Sequence, residues 1–393
     1  MRILLHTEEY LPTALACAIR MDVFASQLRA LGHEVTVIAG SNHRNGTPKD
    51  RLPDGVIYAP TVKIKKKTAI HRMISNLSFA FTSVFCALGA GKADVVITTS
   101  PPPLISISGW IIAAMKRAKL VYDVRDIWPD VALEMGSFSP DSIYCRVFRW
   151  ITGFMYRKAD LITTVSSGKI LHLSKLVDPK KLLLVSNGYD LRNDRYFADG
   201  TAAQYDISEK FACVYIGNVG LAQGLESLLE IAARTRHTQT EFLIFGDGAR
   251  REALVQEAAA RGLNRVHFCG PLPHDQVASV LTHAKISYIP LKNSNMKDSI
   301  PTKLYESLAM GCPVLLAAAG DACEILAECG LGRSVPPEDP DAIVAAFDEM
   351  VDQYDLLVQH RDQAKHIIRE KHSRQHAVQQ LEQALKKLLS SAN

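Results

Sequence analysis

Short apolar segments alternate with longer amphipathic stretches twice along this chain, and this alternation strongly restricts its fold. The first series consists of RILLHT (2–7), EVTVIAG (34–40), DVVITT (94–99), KLVYDV (119–124) and DLITTV (160–165). The second series begins at residue 211 and consists of FACVYIG, EFLIFG, RVHFCG, ISYIP and PVLLAA. Strands separated by helix-length segments are typical of parallel sheets with helices on both faces. We therefore predict an α/β protein of two tandem Rossmann-like, doubly wound domains that face each other across a cleft.

A polar, turn-rich segment at 186–204 separates the two series and indicates a domain boundary. A length of 393 residues suits two domains, each able to bury a core without disulfides or metals. We expect a first Rossmann-like domain over 1–195, a second over 196–372, and a helix over 373–393 that could pack back on the first domain. Ligands of doubly wound sheets bind beyond the carboxyl ends of the strands, which is where a site is expected.

The charge of the chain is distributed unevenly. Residues 1–200 hold 26 Lys and Arg against 17 Asp and Glu, a balance of +9, and residues 201–393 hold 19 against 24, a balance of −5. The sum of only +4 argues against a dedicated nucleic-acid-binding protein. The basic first half indicates that this half alone meets an anionic surface or acceptor.

One stretch of the first half raises the question of a membrane. Residues 73–91 carry no charge, but polar side chains dilute the segment and we expect no transmembrane span. A basic segment precedes it, with Lys63, Lys65, Lys66, Lys67 and Arg72. This order fits peripheral docking of a helix on anionic lipid, and it fits equally a solvated basic loop before a core helix.

The cysteines and the N-terminus indicate a cytoplasmic location. The eight cysteines form no C-x-x-C pair, and most lie in apolar runs, which is typical of reduced core residues. The N-terminal MRILLHTEEY is too short and too acidic for a signal peptide. With the basic first half, these features predict a cytoplasmic protein on the inner face of the cytoplasmic membrane.

Two glycine-containing turns follow strands of the second domain. The loop 217–224 has the spacing G-x-x-G-x-x-x-G before a helix, and Gly246-Asp247-Gly248 follows the next strand. Glycines let the backbone approach a ligand, and a helix N-terminus favours an anion. Each is also compatible with plain turn chemistry, so neither is specific alone.

The most informative segment is 298–306, with the sequence DSIPTKLYE. Pro301 suits the first helical position and Gly311 the end of the helix. Lys303 then lies in the first turn beside free backbone N–H groups, where phosphate oxygens are stabilised, and Glu306 shares its face. With Asp298 just before the helix, these groups suit a sugar nucleotide: positive charge for diphosphate and carboxylates for hydroxyls. The alternative is an exposed Lys–Glu pair on a surface helix.

A third candidate segment lies at 122–130 of the first domain, at the predicted end of a strand. Arg125, Asp126 and Trp128 could face the cleft as acceptor contacts or proton carriers. The alternative is an internal Arg–Asp ion pair.

The segment from Asp298 to Val314 resembles the family 4 retaining glycosyltransferases, which have the two-domain GT-B fold. The family carries two acidic residues separated by seven others, the spacing of Asp298 and Glu306. The loop 217–224, the Gly246–Gly248 turn, HFCGPLP (267–273) and Asn187-Gly188-Tyr189-Asp190 also look like family motifs. The similarity covers nearly the whole chain and is greatest to a bacterial subgroup that builds O-antigens, capsules and exopolysaccharides.

The resemblance implies roles for particular residues. The first domain would bind the acceptor and the second the nucleotide-sugar donor, with the donor sugar at Asp298, the ribose at Glu306 and the base held mainly by the backbone of 267–273. Catalytic roles fall on Asp298, Lys303, Glu306 and Asp126. Acceptor binding falls on Arg20, Arg125 and Trp128. Donor binding falls on Gly217, Asn218, Gln223, Gly246, Asp247, Gly270, Leu272, Asp298, Thr302, Lys303, Leu304 and Glu306. Asn218 and Gln223 stand where many members have Arg and Lys, so Lys303 must supply more of the charge.

The resemblance implies a retaining transferase that moves a sugar from a nucleotide diphosphate donor, expected to be UDP-linked, to a polyprenyl-diphosphate-linked saccharide. No metal and no cofactor is expected, and no nucleic acid. Two alternatives remain open: a nucleotide-sugar 2-epimerase of similar architecture, and a catalytically degenerate partner subunit that binds nucleotide or glycan. Dependence of turnover on an acceptor separates the transferase from the epimerase.

Overall fold

The fold was analysed in a computed structural model of the chain. It describes residues 1–13, 15–41, 52–63, 69–134, 139–196, 201–221, 223–293 and 297–390. The chain divides into two compact units, the first of Met1–Asn187 with Gln375–Asn393 and the second of Gly188–Arg374. The domain ends expected from the sequence, after 195 and after 372, lie a few residues from these points.

The first unit is built on a parallel sheet of seven strands in the order β3-β2-β1-β4-β5-β6-β7. Its strands are β1 (Arg2–Thr7), β2 (Glu34–Gly40), β3 (Val56–Ala59), β4 (Val95–Ser100), β5 (Lys119–Val124), β6 (Leu161–Thr164) and β7 (Leu182–Leu184). Its early helices are α1 (Ala16–Ala30), α2 (Ala69–Gly89), α3 (Leu104–Lys116), α4 (Asp130–Glu134), α5 (Ile143–Lys158) and α6 (Ser167–Leu173). Apolar side chains of the central strands are buried on both faces, as expected of a parallel sheet.

The helices cover the two faces of this sheet in separate layers. One core contains apolar side chains of α2, α3, α5 and α6. The core on the other face contains side chains of α1 and of the last helix, including Ala377, Val378, Leu381 and Leu385. The C-terminal segment therefore belongs structurally to the first unit.

The second unit has a six-stranded parallel sheet in the order β10-β9-β8-β11-β12-β13. Its strands are β8 (Phe211–Ile216), β9 (Thr240–Phe245), β10 (Val266–Gly270), β11 (Ile286–Pro290), β12 (Val314–Ala317) and β13 (Gly332–Val335). The remaining helices of the chain are α7 (Thr201–Gln204), α8 (Glu226–Arg234), α9 (Arg251–Ala260), α10 (Val277–His283), α11 (Thr302–Ala309), α12 (Asp321–Cys329), α13 (Pro340–Asp352), α14 (Tyr354–Leu357), α15 (Arg361–Lys371) and α16 (Arg374–Ser390).

These sheets confirm the prediction of two doubly wound parallel-sheet domains. All ten strands expected from the sequence are present to within about one residue, and β3, β7 and β13 are additional. Among the helices that the structure describes, none is long and apolar enough to cross a bilayer. Lys65, Lys66 and Lys67 of the basic segment lie outside the described residues.

Candidate active site

The second unit has its topological switch point between β8 and β11, which are neighbours in the sheet although three helices and two strands separate them in the chain. The loop after β8 contains Gly217, and the segment after β11 leads to Lys303 in α11. Adjacent carboxyl ends at a switch point form the crevice in which doubly wound sheets bind ligands. The sequence motifs that were expected to bind a sugar nucleotide therefore lie at the two sides of one such crevice.

The glycine loops after β8 and β9 are joined by backbone hydrogen bonds. Gly217 N–H donates to Phe245 O at 2.8 Å, Val219 N–H donates to Asp247 O at 2.8 Å, and Gly246 N–H donates to Gly270 O at 2.8 Å. A Cβ on Gly246 would collide with the carbonyl oxygen of Gly217. The two loops can therefore approach each other this closely only because residue 246 is a glycine without a side chain.

Lys303 extends from α11 towards the loop after β8. Its Nζ lies 4.1 Å from the ring centroid of Tyr215, a cation–π contact, and 3.0 Å from the point where Gly217 would carry a Cβ. Within the described part of the chain no carboxylate oxygen lies within 4.0 Å of this Nζ. Burial lowers the pKa of Lys303 to about 8, against the charge of Glu306. An ammonium held on an aromatic ring without a carboxylate partner is ready to accept an anion.

The start of α11 differs by one residue from the expectation. Pro301 is the N-cap residue rather than the first helical residue, and it has no side-chain hydrogen bond to the helix. Lys303 is still in the first turn, and Gly311 follows the helix with a positive φ of 72°. Of the N–H groups in the first turn, that of Leu304 donates to Pro301 O at 3.0 Å, and the positive end of the helix dipole still lies beside Lys303.

The two acidic residues of the motif are in different surroundings. Asp298 is half-buried in the turn at 297–298, before α11. Glu306 is half-buried on α11 and lines a small cavity with Tyr189, Asn193 and His274. Burial raises the pKa of Glu306, and the charges of His274, Arg374 and Lys303 oppose that rise. The roles expected for the two carboxylates are compatible with these positions and stay predictions.

The other predicted donor contacts differ in how accessible they are. Asn218 and Asp247 are exposed at the ends of β8 and β9, and Asp247 accepts a hydrogen bond from Gly248 N–H at 2.8 Å. Gln223 has a buried Oε1 without a hydrogen-bond partner among the described residues. Gly270, Leu272 and Thr302 lie at the same carboxyl edge of the sheet or at the start of α11 and are partly accessible.

Leu304 is a correction to the predicted donor contacts. Its side chain is completely buried in the core of the second unit, and its N–H donates to Pro301 O at 3.0 Å. Neither its side chain nor its N–H is available to a ligand, so its position on α11 serves packing.

Arg20 is a second correction, because the structure places it inside the first unit. The residue is 3% exposed, and its guanidinium donates to both carboxylate oxygens of Asp123, at 2.8 and 3.2 Å. It also donates to Ser186 O and Asn187 Oδ1, at 3.3 and 3.1 Å. This burial argues against the expected acceptor-binding role. It indicates that Arg20 connects α1 to β5 and to residues 186–187, through hydrogen bonds and an ion pair.

The remaining predicted residues of the first unit lie beyond the carboxyl end of β5. Arg125 donates to Thr99 Oγ1 at 3.1 Å and to Pro101 O at 2.7 Å, so it is tied to the end of β4. Asp126 is half-buried on the same loop. Trp128 is also half-buried, and its indole Nε1 has no hydrogen-bond partner among the described residues. Their roles in acceptor binding and catalysis stay predictions.

Two residues near these sites were missed by the sequence analysis. Tyr215 supports Lys303, and an aromatic residue two positions before the first glycine was the only signal for it. Glu8 follows β1 at the switch point of the first unit, where burial raises its pKa to about 7. No signal in the sequence distinguished Glu8 from the adjacent Glu9. Among the described residues no group of three or more His, Cys, Asp and Glu side chains could hold a metal ion.

The lowered pKa of Lys303 predicts that binding of a diphosphate depends on pH. If the ammonium form binds the anion, affinity for a nucleotide-diphosphate sugar should be constant below pH 8 and fall as the pH rises above it, by up to about tenfold per pH unit. Titration calorimetry between pH 6.5 and 9.5 measures this. In Lys303→Met the affinity should be low throughout, without the step near pH 8. A step of the same size in that variant would contradict the assignment.

Comparisons with known proteins agree with this fold. The family model "Glycosyl transferase 4-like domain" matches residues 17–188, and "Glycosyl transferases group 1" matches residues 202–369. The chain is 26% identical to the probable glycosyltransferase WbjE of Pseudomonas aeruginosa, over 72% of this chain and 73% of that protein. It is 24% identical to the putative colanic acid biosynthesis glycosyl transferase WcaI of Escherichia coli, over 93% and 95% of the two chains.

Solved structures extend the agreement in fold to the whole chain. Sucrose-phosphate synthase from Thermosynechococcus elongatus superposes with a TM-score of 0.81 at 16% identity, covering 99% of both chains. Anabaena HepE in complex with UDP-glucose has a TM-score of 0.73 at 16% identity, covering 98% of this chain and all of the other. The fold and the two family models together define the class of this protein, which is a GT-B glycosyltransferase. The chain belongs to the family 4 type of these enzymes, as its motifs indicated.

Proposed function

We propose that this glycosyltransferase moves a sugar from a UDP-linked donor to a lipid-diphosphate-linked glycan in bacterial surface polysaccharide synthesis, with retention of configuration. The position of Lys303 between Tyr215 and Gly217, at the switch point of the second unit, is the observation that carries the proposal. The relatives named for colanic acid synthesis and for glycosyl transfer, and the UDP-glucose complex of a similar fold, support it.

Lys303 and the first turn of α11 would stabilise the leaving diphosphate. Negative charge grows on the diphosphate as the bond to the sugar breaks, and a pre-positioned ammonium and helix N-terminus lower the energy of that state. Asp298 would bind the donor sugar and Glu306 the ribose. The protein's contribution is then mainly positioning and charge stabilisation, and the departing phosphate would accept the proton of the acceptor hydroxyl.

Release of UDP with a panel of UDP-sugars, with and without lipid-linked acceptor from bacterial membranes, tests the proposal. We expect UDP release that requires the acceptor, and a loss of turnover in Asp298→Asn and Glu306→Gln with unchanged turnover in the exposed-acid control Asp206→Asn. Conversion of a UDP-sugar to its epimer without acceptor would instead establish an epimerase. UDP binding without turnover of any donor would establish a binding subunit.

We propose further that the first unit docks on the inner face of the membrane through α2. Five large apolar side chains are exposed along one face of this helix at spacings of three and four residues: Ile74, Leu77, Phe81, Phe85 and Leu88. Its buried face is much less apolar and carries Ser75, Phe79, Ser83 and Ala87. Arg72 is exposed in the first turn of the helix, and Lys63 is exposed next to Val62, whose N–H donates to Ser78 Oγ at 2.9 Å midway along the helix. Apolar side chains directed outward beside cations suit an anionic bilayer surface.

Substitutions on α2 should release the protein from anionic vesicles. Phe81 is 67% and Leu88 is 63% exposed, and each would contribute on the order of 1–2 kcal/mol when inserted. We therefore expect Phe81→Ser/Leu88→Ser to lower binding to phosphatidylglycerol vesicles at least tenfold in a flotation assay. The matched control is Leu356→Ser, a leucine of the second unit with 61% exposure. Equal binding of the two variants would refute docking through this face.

A further inference from the structure

A cavity of about 680 Å³ lies within the first unit and has no role in the function described above. Three segments form it: the loop after β5, one face of α5, and the chain from α6 towards β7. Apolar walls are supplied by Ile127, Pro129, Leu176 and Val177. Of the residues discussed so far, only Trp128 lines it.

Two unpartnered hydrogen-bond donors lie in the wall of this cavity. Tyr156 is 7% exposed, and its hydroxyl and the Trp128 Nε1 are both buried without a hydrogen-bond partner among the described residues. Burial raises the pKa of Tyr156, so its hydroxyl keeps its proton. Indole N–H donates only, and a buried donor without an acceptor is unfavourable. Unsatisfied donors in the wall favour a ligand that carries acceptor oxygens.

Two arginines of α5 add positive charge at the same place. Arg149 and Arg157 line the cavity together with Gly153, which lies between them at four-residue spacing on the same helix face. Arg157 turns back along the helix, since its Nη1 is 3.5 Å from the point where Gly153 would carry a Cβ. No ion pair of either guanidinium occurs within the described ranges of the chain. Guanidinium groups bind phosphate with two parallel hydrogen bonds.

The other charged groups of the cavity are already engaged. Lys181 Nζ donates to Ala159 O at 3.0 Å, His172 Nε2 is 3.4 Å from Asp130 Oδ2, and Asp178 accepts from Lys180 N–H at 3.0 Å. The groups left uncommitted are therefore two exposed arginines and, within the wall, an indole N–H and a phenol hydroxyl. This set selects an anion rich in acceptor oxygens, and the apolar walls select one attached to an apolar chain.

We infer that this cavity binds the diphosphate of a lipid diphosphate, and so is the subsite for the lipid end of the acceptor. The inference rests on the proposed function, which requires an acceptor of this chemistry. The same helix carries exposed apolar side chains on another face, among them Ile143, Val147 and the 63% exposed Trp150. α5 shares one layer of the sheet with α2, the helix proposed to dock on the membrane. A lipid diphosphate would thus be bound by the layer that meets the bilayer.

Titration calorimetry of the full-length protein with farnesyl diphosphate, inorganic diphosphate and farnesol tests the inference. We expect farnesyl diphosphate to bind at least tenfold more tightly than inorganic diphosphate, and farnesol to bind weakly. Arg149→Gln and Arg157→Gln should each weaken farnesyl diphosphate at least tenfold, and Tyr156→Phe about threefold or more. The matched control is Arg146→Gln, an exposed arginine of α5 outside the cavity, which should change affinity less than twofold.

Several results would overturn the inference. They are no binding of farnesyl diphosphate to the wild-type protein, equal losses in the control and cavity variants, and equal affinity for inorganic diphosphate, which would leave a phosphate site without a lipid component. Displacement of farnesyl diphosphate by UDP would also overturn it. Arg149 and Arg157 are both exposed, so their glutamine variants should fold, and Tyr156→Phe keeps the size of its side chain. UDP binding is measured in parallel and tests the proposed function. If the wild-type protein does not bind UDP but does bind farnesyl diphosphate, the proposed function is refuted and the inference about the cavity is not.

Discussion

Lys303→Ala should lower turnover on the order of 10²–10³-fold while the protein remains folded. The residue is half-buried on the surface of the switch-point crevice, and its ammonium has no carboxylate partner within 4.0 Å among the described residues. No carboxylate therefore loses an ion-pair partner in Lys303→Ala, so a large loss of stability is not expected. It does remove the ammonium that lies beside Gly217, and with it the proposed stabilisation of the leaving diphosphate.

Three measurements separate this effect from a general one. Lys210→Ala removes an exposed lysine of the same unit, paired only with Asp206 at 3.6 Å, and should retain full turnover. Lys303→Arg keeps the charge but adds bulk where the Nζ is already 3.0 Å from the Gly217 Cβ position, so partial activity is expected. The loss in Lys303→Ala should fall on kcat as well as on the affinity for UDP-glucose. Unchanged turnover in Lys303→Ala would overturn the proposed mechanism.

The central strands could be predicted from the sequence, whereas three edge strands could not. β3, β7 and β13 all lie at sheet edges, and most of their residues are only partly buried. An edge strand has a neighbour on one side only and needs fewer apolar residues, so its pattern is weak. The segments VIYA, LLL and GRSV are also short, and their periodicity was insufficient to distinguish them from loops.

The geometry of the candidate donor motif could be predicted from the sequence because its parts are local. Lys303 and Glu306 are on one helix, and the glycines of 217–220 are in one turn, so spacing along the chain defines their geometry. The contact between Lys303 and Tyr215 joins α11 to the end of β8, and only the pairing of β8 with β11 brings them together. The sequence pattern predicts that such strands form a sheet, but not which strands are neighbours.

The outward-facing side of α2 shows a second limit. Periodicity predicts an amphipathic helix, and the apolar face of such a helix normally packs on the core. In this helix Phe81 and Leu88 are exposed, whereas Ser75 and Ser83 are buried. The two serines bond to Glu8 and His6, side chains of the β1 strand and the loop after it. Polar partners on the sheet therefore decided the orientation of α2, and hydropathy alone could not indicate them.

The burial of Arg20 against Asp123 is another feature that the sequence alone did not indicate. It leads to the prediction with the largest effect on stability. Arg20→Met should lower the free energy of unfolding of the first unit by roughly 3–5 kcal/mol, because it leaves the fully buried Asp123 carboxylate without its cation. Burial pushes the pKa of Asp123 upward, but the charge of Arg20 and hydrogen bonds from Arg20 and Thr163 hold that pKa below its usual value. Denaturant unfolding monitored by circular dichroism measures the loss.

A double-mutant cycle distinguishes this structural role from the acceptor-binding role expected from the sequence. Arg20→Met/Asp123→Asn should be less destabilised than the sum of its single variants, because the second change removes the charge that the first leaves unpaired. Arg234→Met, at an exposed ion pair with Asp341, is the matched control and should change stability by less than about 1 kcal/mol. If Arg20→Met kept full stability and raised only the KM for the acceptor, the structural role would be refuted. Arg20 would then contact the acceptor and would not join α1 to β5.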